Sequence, residues 1–206
     1  MPTLPESAID KLLSPYLPNI PPGLVTQLSL YLDLLLKWNA HTNLTAIRDP
    51  EEIVRRHFGE SLFAARHLPK SATTLLDFGS GAGFPGLPIA LLRPDIHVTL
   101  AESQNKKSTF LREAVRILHL STEIWPKRVE TMPESQHFDI VALRAVDNPA
   151  IALAAAIARI NPEGHLALLT TNAQAPSGGT SIPIPNSQTG ILYLQTFHVE
   201  QSPDSR

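Results

Sequence analysis

From Thr73 onward the chain alternates apolar runs of strand length with helical stretches, and no other feature constrains its fold as tightly. Strand-like runs cover 73–78, 96–101, 121–125, 138–143, 164–170 and 190–197, with a weaker one at 180–184. Helical stretches cover 86–92, 105–118 and 149–160. This alternation predicts a mostly parallel sheet with helices on both faces. In such a sheet ligands bind beyond the carboxyl ends of the strands, so the turns that follow them are where chemistry is expected. A composition of 43% hydrophobic and 17% charged residues over 206 positions supplies an ordinary globular core.

Ahead of the alternation the pattern is helical. A proline-rich start over 1–23 reads as one or two short helices joined by turns. Leu24, Leu28, Tyr31, Leu32, Leu35 and Trp38 recur at helical spacing, which predicts an amphipathic helix over 24–38 that ends in the polar segment 39–43. Asp49-Pro50-Glu51-Glu52 combines an N-cap, a proline at the first helical position and first-turn carboxylates. The helix it starts places Ile53, Val54, His57, Phe58, Ser61, Leu62 and Ala65 on one face.

The first strand-like run enters a turn dense in glycine, Asp77-Phe-Gly79-Ser-Gly81-Ala-Gly83-Phe-Pro-Gly86. Glycines let a backbone turn tightly and approach a ligand. Gly81, Gly83 and Gly86 match the dinucleotide fingerprint G-x-G-x-x-G, but the first glycine after the strand is Gly79, and from there the third position falls on Phe84. Asp77 also puts a carboxylate at the mouth of the turn, where it repels a pyrophosphate and suits a cationic nucleoside such as S-adenosyl-L-methionine. Asp77, Gly79, Gly81 and Gly83 together form D-x-G-x-G-x-G, the signature of a nucleoside-dependent methyltransferase. Its acidic partner belongs at the end of the next strand, where it accepts both ribose hydroxyls, and Glu102 follows the run 97–101. Arg128-Val129-Glu130, after the third run, stands where an adenine ring would lie. Arg144 ends the fourth run at the crevice. The nicotinamide-dependent oxidoreductase reading predicts the opposite ligand preference, with NADH bound more tightly than the methyl donor.

Several chemistries are excluded or disfavoured. There is no cysteine, hence no thiolate metal site, no disulfide framework and no covalent attack on a pyrimidine ring. Asp147-Asn148-Pro149-Ala150 resembles only superficially the motif of enzymes that methylate exocyclic amines, lacking its second proline and aromatic residue. Guanine N7, which owns a free lone pair, needs neither a base nor a nucleophile from the protein, so positioning and exclusion of water suffice. The eight histidines show no metal-ligand spacing, and no metal is expected. His57 and Ser61, four apart on an inner helical face, read either as a core pair or as the substrate side of the crevice. A net charge of −2 does not grip nucleic acid by itself, so an RNA partner would meet a local basic patch, with Arg48, Arg55, Arg56, Lys106, Lys107 and Arg112 as candidates. The start has no secretory pattern, and the longest apolar run, 149–158, is about half a membrane span. A cytoplasmic protein with no membrane or protein partner is expected.

The residues resemble the small-subunit (16S) ribosomal RNA methyltransferase G family, also called the glucose-inhibited division protein B family. The resemblance runs over nearly the whole chain: Lys37-Trp38-Asn39, Asn43-Leu44-Thr45, Arg48-Asp49-Pro50, Arg56-His57, Glu60-Ser61, Asp77 to Gly86, Arg93-Pro94, Arg128-Val129-Glu130 and Arg144-Ala145. It implies a Rossmann-like class I S-adenosylmethionine-dependent methyltransferase with a mostly parallel seven-stranded sheet. An N-terminal helical cap over 1–68 would precede the methyltransferase domain over 69–206. The implied reaction is methylation of N7 of a decoding-site guanosine in 16S rRNA within the small ribosomal subunit. Implied cofactor contacts are Gly79, Phe84, Val129, Glu130 and Arg144, with Arg144 also the catalytic candidate, and Glu102 in the ribose role. Asn39, Asn43, His57 and Ser61 are the candidate substrate contacts. Two departures stand out. Where the family usually has lysine-glycine after the fifth strand this chain has Leu169-Thr170-Thr171-Asn172, and where it tends to have arginine before the last strand there is Gln188-Thr189-Gly190. The missing cations leave room for a non-catalytic cofactor- or RNA-binding homologue.

Overall fold

The computed structural model describes residues 2–145 and 149–198. Asp147 and Asn148 of the amine-like motif therefore lie outside the described residues. Helix α1 (Glu6–Leu13) and the long α2 (Leu24–Asn39) come first. Asp49 then caps the single turn α3 (Pro50–Glu52), its side chain accepting from the Glu52 N–H at 2.8 Å. The sequence pattern predicts one continuous helix from here. Instead Ile53–Gly59 is wound as a π-helix before α4 (Glu60–His67) resumes the α form. At Gly59 the backbone lies against the Tyr16 ring, where a Cβ would sit 2.6 Å from Tyr16 Cδ2.

The remaining elements fall close to their expected places: β1 (Thr74–Phe78), α5 (Gly86–Leu92), β2 (His97–Ala101), α6 (Asn105–Ile117), β3 (Glu123–Trp125), β4 (Phe138–Arg144), α7 (Pro149–Ile157), β5 (Ile160–Thr171), β6 (Thr180–Pro183) and β7 (Gly190–Thr196). β5 starts earlier than its apolar run because Ile160 pairs with Phe138 across a register shift. The seven strands are ordered β3-β2-β1-β4-β5-β7-β6. Neighbours are parallel from β3 through β5, while β7 runs antiparallel to both β5 and β6. The order reverses between β1 and β4, and a crevice opens beyond their carboxyl ends at this switch point.

The strand period of two divides the core. Leu75 and Leu100 face one cluster, shared with α1, α2, the π segment, α4, α5 and α6. Leu76, Val141 and Leu143 face the other, under Ala152 and Ala156 of α7. The helices ahead of residue 68 thus pack into the same apolar cluster as the sheet. Among the described residues no helix is long and apolar enough to cross a membrane.

Candidate active site

The turn after β1 uses its glycines for different purposes. Gly79, Gly81 and Gly83 all have positive φ, at 72°, 57° and 91°. A Cβ on Gly81 would meet nothing closer than the Gly79 carbonyl at 3.9 Å, so this glycine leaves its backbone open to the crevice. A Cβ on Gly83 would fall 2.4 Å from Leu87 Cδ1 and 2.6 Å from the Tyr31 hydroxyl. Gly83 is a packing requirement, a correction to its expected place among the ligand contacts. Beneath the turn Tyr31 donates its hydroxyl to the Ala82 carbonyl and stacks on Phe84 at 5.3 Å between ring centroids.

Asp77 also departs from expectation. Its carboxyl is not at the mouth of the turn but fully buried below it, where Oδ2 accepts the Gly86 N–H at 2.9 Å. Burial raises its pKa to about 7, partly offset by that N–H. Asp77 therefore pins the turn to the start of α5, and its charge does not reach an approaching ligand directly.

Glu102 faces the turn from the end of β2. One oxygen accepts the Gly81 N–H at 3.0 Å and the other the Gln104 N–H at 2.7 Å. Each oxygen keeps a further lone pair for a hydroxyl. Together with Thr45, His57, Gly79, Gly81 and Phe84 it lines a crevice of about 370 Å³. Val129 and Glu130 do not line it: Val129 is buried in the second apolar cluster and Glu130 is exposed on the 3-10 turn Val129–Thr131. Arg159, which carries no sequence signal beyond ending an apolar run, holds that turn in place. Its guanidinium is buried and donates to the carbonyls of Met132 at 3.0 Å, Pro133 at 2.5 Å and Val129 at 3.4 Å.

Of the expected substrate contacts only His57 reaches the crevice. Ser61 is fully buried and donates to the His57 carbonyl at 2.6 Å, which removes it from any ligand. Asn39 is buried too, and its amide folds back the following loop by accepting from the Leu44 and Thr45 N–H groups and donating to the Thr45 carbonyl. Asn43 is exposed and accepts from Arg48, whose other nitrogen donates to the Asn39 carbonyl. These residues shape a loop that delivers Thr45, whose hydroxyl lies 2.7 Å from His57 Nε2. His57 stacks on Phe84 at 4.7 Å, and burial, reinforced by the Arg144 and Arg56 charges, lowers its pKa to about 3. Of the basic candidates, Arg55 is paired with Glu51 and Glu52, while Lys107 lines the crevice.

Arg144 ends β4 and forms the wall between this crevice and a larger cavity of about 670 Å³. Its Nη2 donates to Glu60 Oε2 and to the Arg56 carbonyl, each at 2.8 Å, while Nη1 is buried without a hydrogen-bond partner among the described residues. Burial depresses its pKa, opposed by the Glu60 charge. The two segments that lack the family's cations meet in the larger cavity. Thr171 pairs with Gly190, the Asn172 N–H donates to the Thr189 carbonyl at 3.2 Å, and Thr170, Thr171 and Thr189 all line the wall. Sequence reasoning flagged these positions for what they lack and missed the cavity they enclose.

Comparison with known proteins agrees with this architecture. A chain that is similar at 16% identity and a TM-score of 0.51, covering 87% of this chain and 44% of its own, is a T. thermophilus 16S rRNA N2 methyltransferase solved with AdoMet and guanosine. Coclaurine N-methyltransferase, bound to N-methylheliamine and SAH, is similar at 17% identity and a TM-score of 0.50, covering 79% and 50%. At these identities the likeness establishes the fold, that of class I methyltransferases. Ribosomal RNA small subunit methyltransferase G of Xanthomonas euvesicatoria is 42% identical over 137 residues, 66% of this chain and 64% of its own length. The protein of the same name from Stenotrophomonas maltophilia is 42% identical over 145 residues, 70% and 64%. The chain thus spans less than two thirds of the length of these relatives. The model of the family described as rRNA small subunit methyltransferase G matches residues 24–175, and the chain belongs to that family.

Proposed function

We propose that this protein is an S-adenosylmethionine-dependent methyltransferase acting in the cytoplasm on N7 of a guanosine in 16S rRNA, with the small ribosomal subunit as its substrate particle. The observation that carries this is the clamped turn after β1: Gly81 is open to the crevice while Glu102 holds its N–H. The residues present fit the cofactor. Gly79, Gly81 and Phe84 offer backbone and an aromatic wall, and Glu102 retains lone pairs for two ribose hydroxyls. When bound, the cofactor supplies an electrophilic methyl group beside a positive sulfonium.

The protein's own residues orient the partners and exclude water. A nucleophile with a free lone pair requires no general base from the protein. His57 stays neutral at physiological pH, so the wall it forms with Phe84 does not repel a cation. The helices ahead of residue 68 act as a cap, placing His57 over the crevice and Glu60 beside Arg144. Purified protein incubated with methyl-labelled cofactor and small subunits from a strain lacking this gene should place label on guanosine N7. Subunits that stay unlabelled would refute the catalytic role.

The uncharged rim at Thr170, Thr171 and Thr189 favours a second reading, a cofactor- or RNA-binding homologue without turnover. Calorimetry separates the two, because cofactor binding without methyl transfer belongs only to the second.

A further inference from the structure

We infer that the larger cavity is a guanine pocket in which Glu60 and Arg144 read the edge of an unstacked base. The direction of this inference rests on the methyltransferase reading above, while its physical basis is the cavity itself. At about 670 Å³ it falls within the range of small-ligand sites, roughly 300–1,000 Å³. Leu143, Leu153, Leu168 and Ile184 give it apolar walls suited to the faces of a planar ring. A carboxylate and a guanidinium stand together in the same lining, joined at 2.8 Å.

That pair suits the edge of guanine and discriminates against adenine. Guanine carries adjacent N1–H and N2–H₂ donors, which a carboxylate accepts together, and beside them the O6 acceptor, which a guanidinium meets. Adenine would turn the N1 lone pair toward Glu60 and be repelled. Arg144 Nη1 is buried without a partner, and an incoming O6 satisfies it. Engagement through O6 leaves N7 free of the guanidinium. Because Arg144 and Ala145 line both cavities, a base in the larger one lies against the wall of the cofactor crevice. Arg56 is the only other cation among the described residues lining the pocket, so recognition here is by base edge more than by phosphate.

Guanosine titrated into the full chain, with and without S-adenosylhomocysteine and followed by ligand-detected NMR, tests this directly. Guanosine should bind at least about tenfold more tightly than adenosine. Glu60→Gln, which replaces one acceptor oxygen by a donor, should cost guanosine about tenfold or more and leave S-adenosylhomocysteine affinity unchanged. Thr189 is exposed at the rim, so Thr189→Trp fills the pocket without disturbing the core and should abolish guanosine binding with the same cofactor affinity. Equal binding of adenosine, parent-like guanosine binding in both variants, or no guanosine binding up to its solubility limit would overturn the assignment. The two readings fail separately: S-adenosylhomocysteine that binds where guanosine does not removes the pocket alone, and guanosine that binds where S-adenosylhomocysteine does not removes the methyl donor alone.

Discussion

The two cavities on either side of Arg144 are built by different means. The crevice under the glycine turn is framed by one local motif and one acid, and the backbone N–H of Gly81 is held by Glu102 across neighbouring parallel strands. The larger cavity is framed by side chains from the π segment, α4, β4, α7, β5 and the start of β7, spread along the chain from Arg56 to Gly190. On the proposed function, ligand affinity in the first depends on what is absent, a Cβ at Gly81. On the inferred guanine site, affinity in the second depends on what is present, the Glu60–Arg144 pair. Substitutions should therefore act on one cavity and spare the other.

The largest separation comes from Gly81→Val. A branched side chain there enters the open crevice from a left-handed backbone position, and cofactor affinity should fall by about 100-fold or more, some 2.7 kcal/mol. Guanosine binding in the larger cavity should persist, and calorimetry with both ligands measures each side. Persistent cofactor binding would mean that the cofactor lies elsewhere.

Gly83→Ala sharpens the contrast within the turn itself. Its Cβ would collide with Leu87 and Tyr31, so the expected loss is in stability, about 1–3 kcal/mol, visible as a lower Tm. A normal Tm with weakened cofactor binding would return Gly83 to the ligand contacts.

Asp77→Asn tests the pin beneath the crevice. The Asp77 pKa, raised from the carboxylate range to about 7 by burial, means that the folded protein binds an extra proton between pH 4 and 7. That contribution is full below the unfolded pKa and is lost as pH rises through 7, with a slope of at most about 1.4 kcal/mol per pH unit. Asparagine can still accept the Gly86 N–H. The stability of the parent relative to Asp77→Asn should decline from about pH 4 to pH 7 and level off above it, as followed by denaturant unfolding. His57, neutral and depressed to about 3, contributes in the opposite sense, with stability lost as pH falls below its unfolded value.

The smallest effect concerns the neutral rim. Thr171→Lys restores a cation where the family usually carries one and should raise affinity for 16S rRNA severalfold. It should also steepen the dependence on log salt by about one unit. No change in slope would place the RNA backbone away from this edge.

Much of the fold was legible because strand and helix periods are local. The helix 86–92 and the strands 97–101 and 190–196 fall where alternation and turn residues put them. The π segment was not legible, since its apolar face satisfies an ordinary helical period and only packing against Tyr16 and Phe84 distinguishes it. Among site residues, Gly79, Gly81, Phe84, Glu102, His57 and Arg144 reach the crevice, whereas Asp77, Gly83, Asn39 and Ser61 support it from below or behind. Sequence spacing identifies residues near a turn but cannot tell which way a carboxylate on a strand points relative to the surface.

The sequence by itself determined the sheet with its helices, the glycine turn and the acid at the end of the next strand, because each depends on residues within one or two consecutive elements. Only the tertiary structure brought Glu60 to Arg144 and Thr171 to Gly190 around one cavity. That meeting depends on where the order of strands reverses and how the N-terminal helices lie across it, and no local periodicity encodes the distance between them.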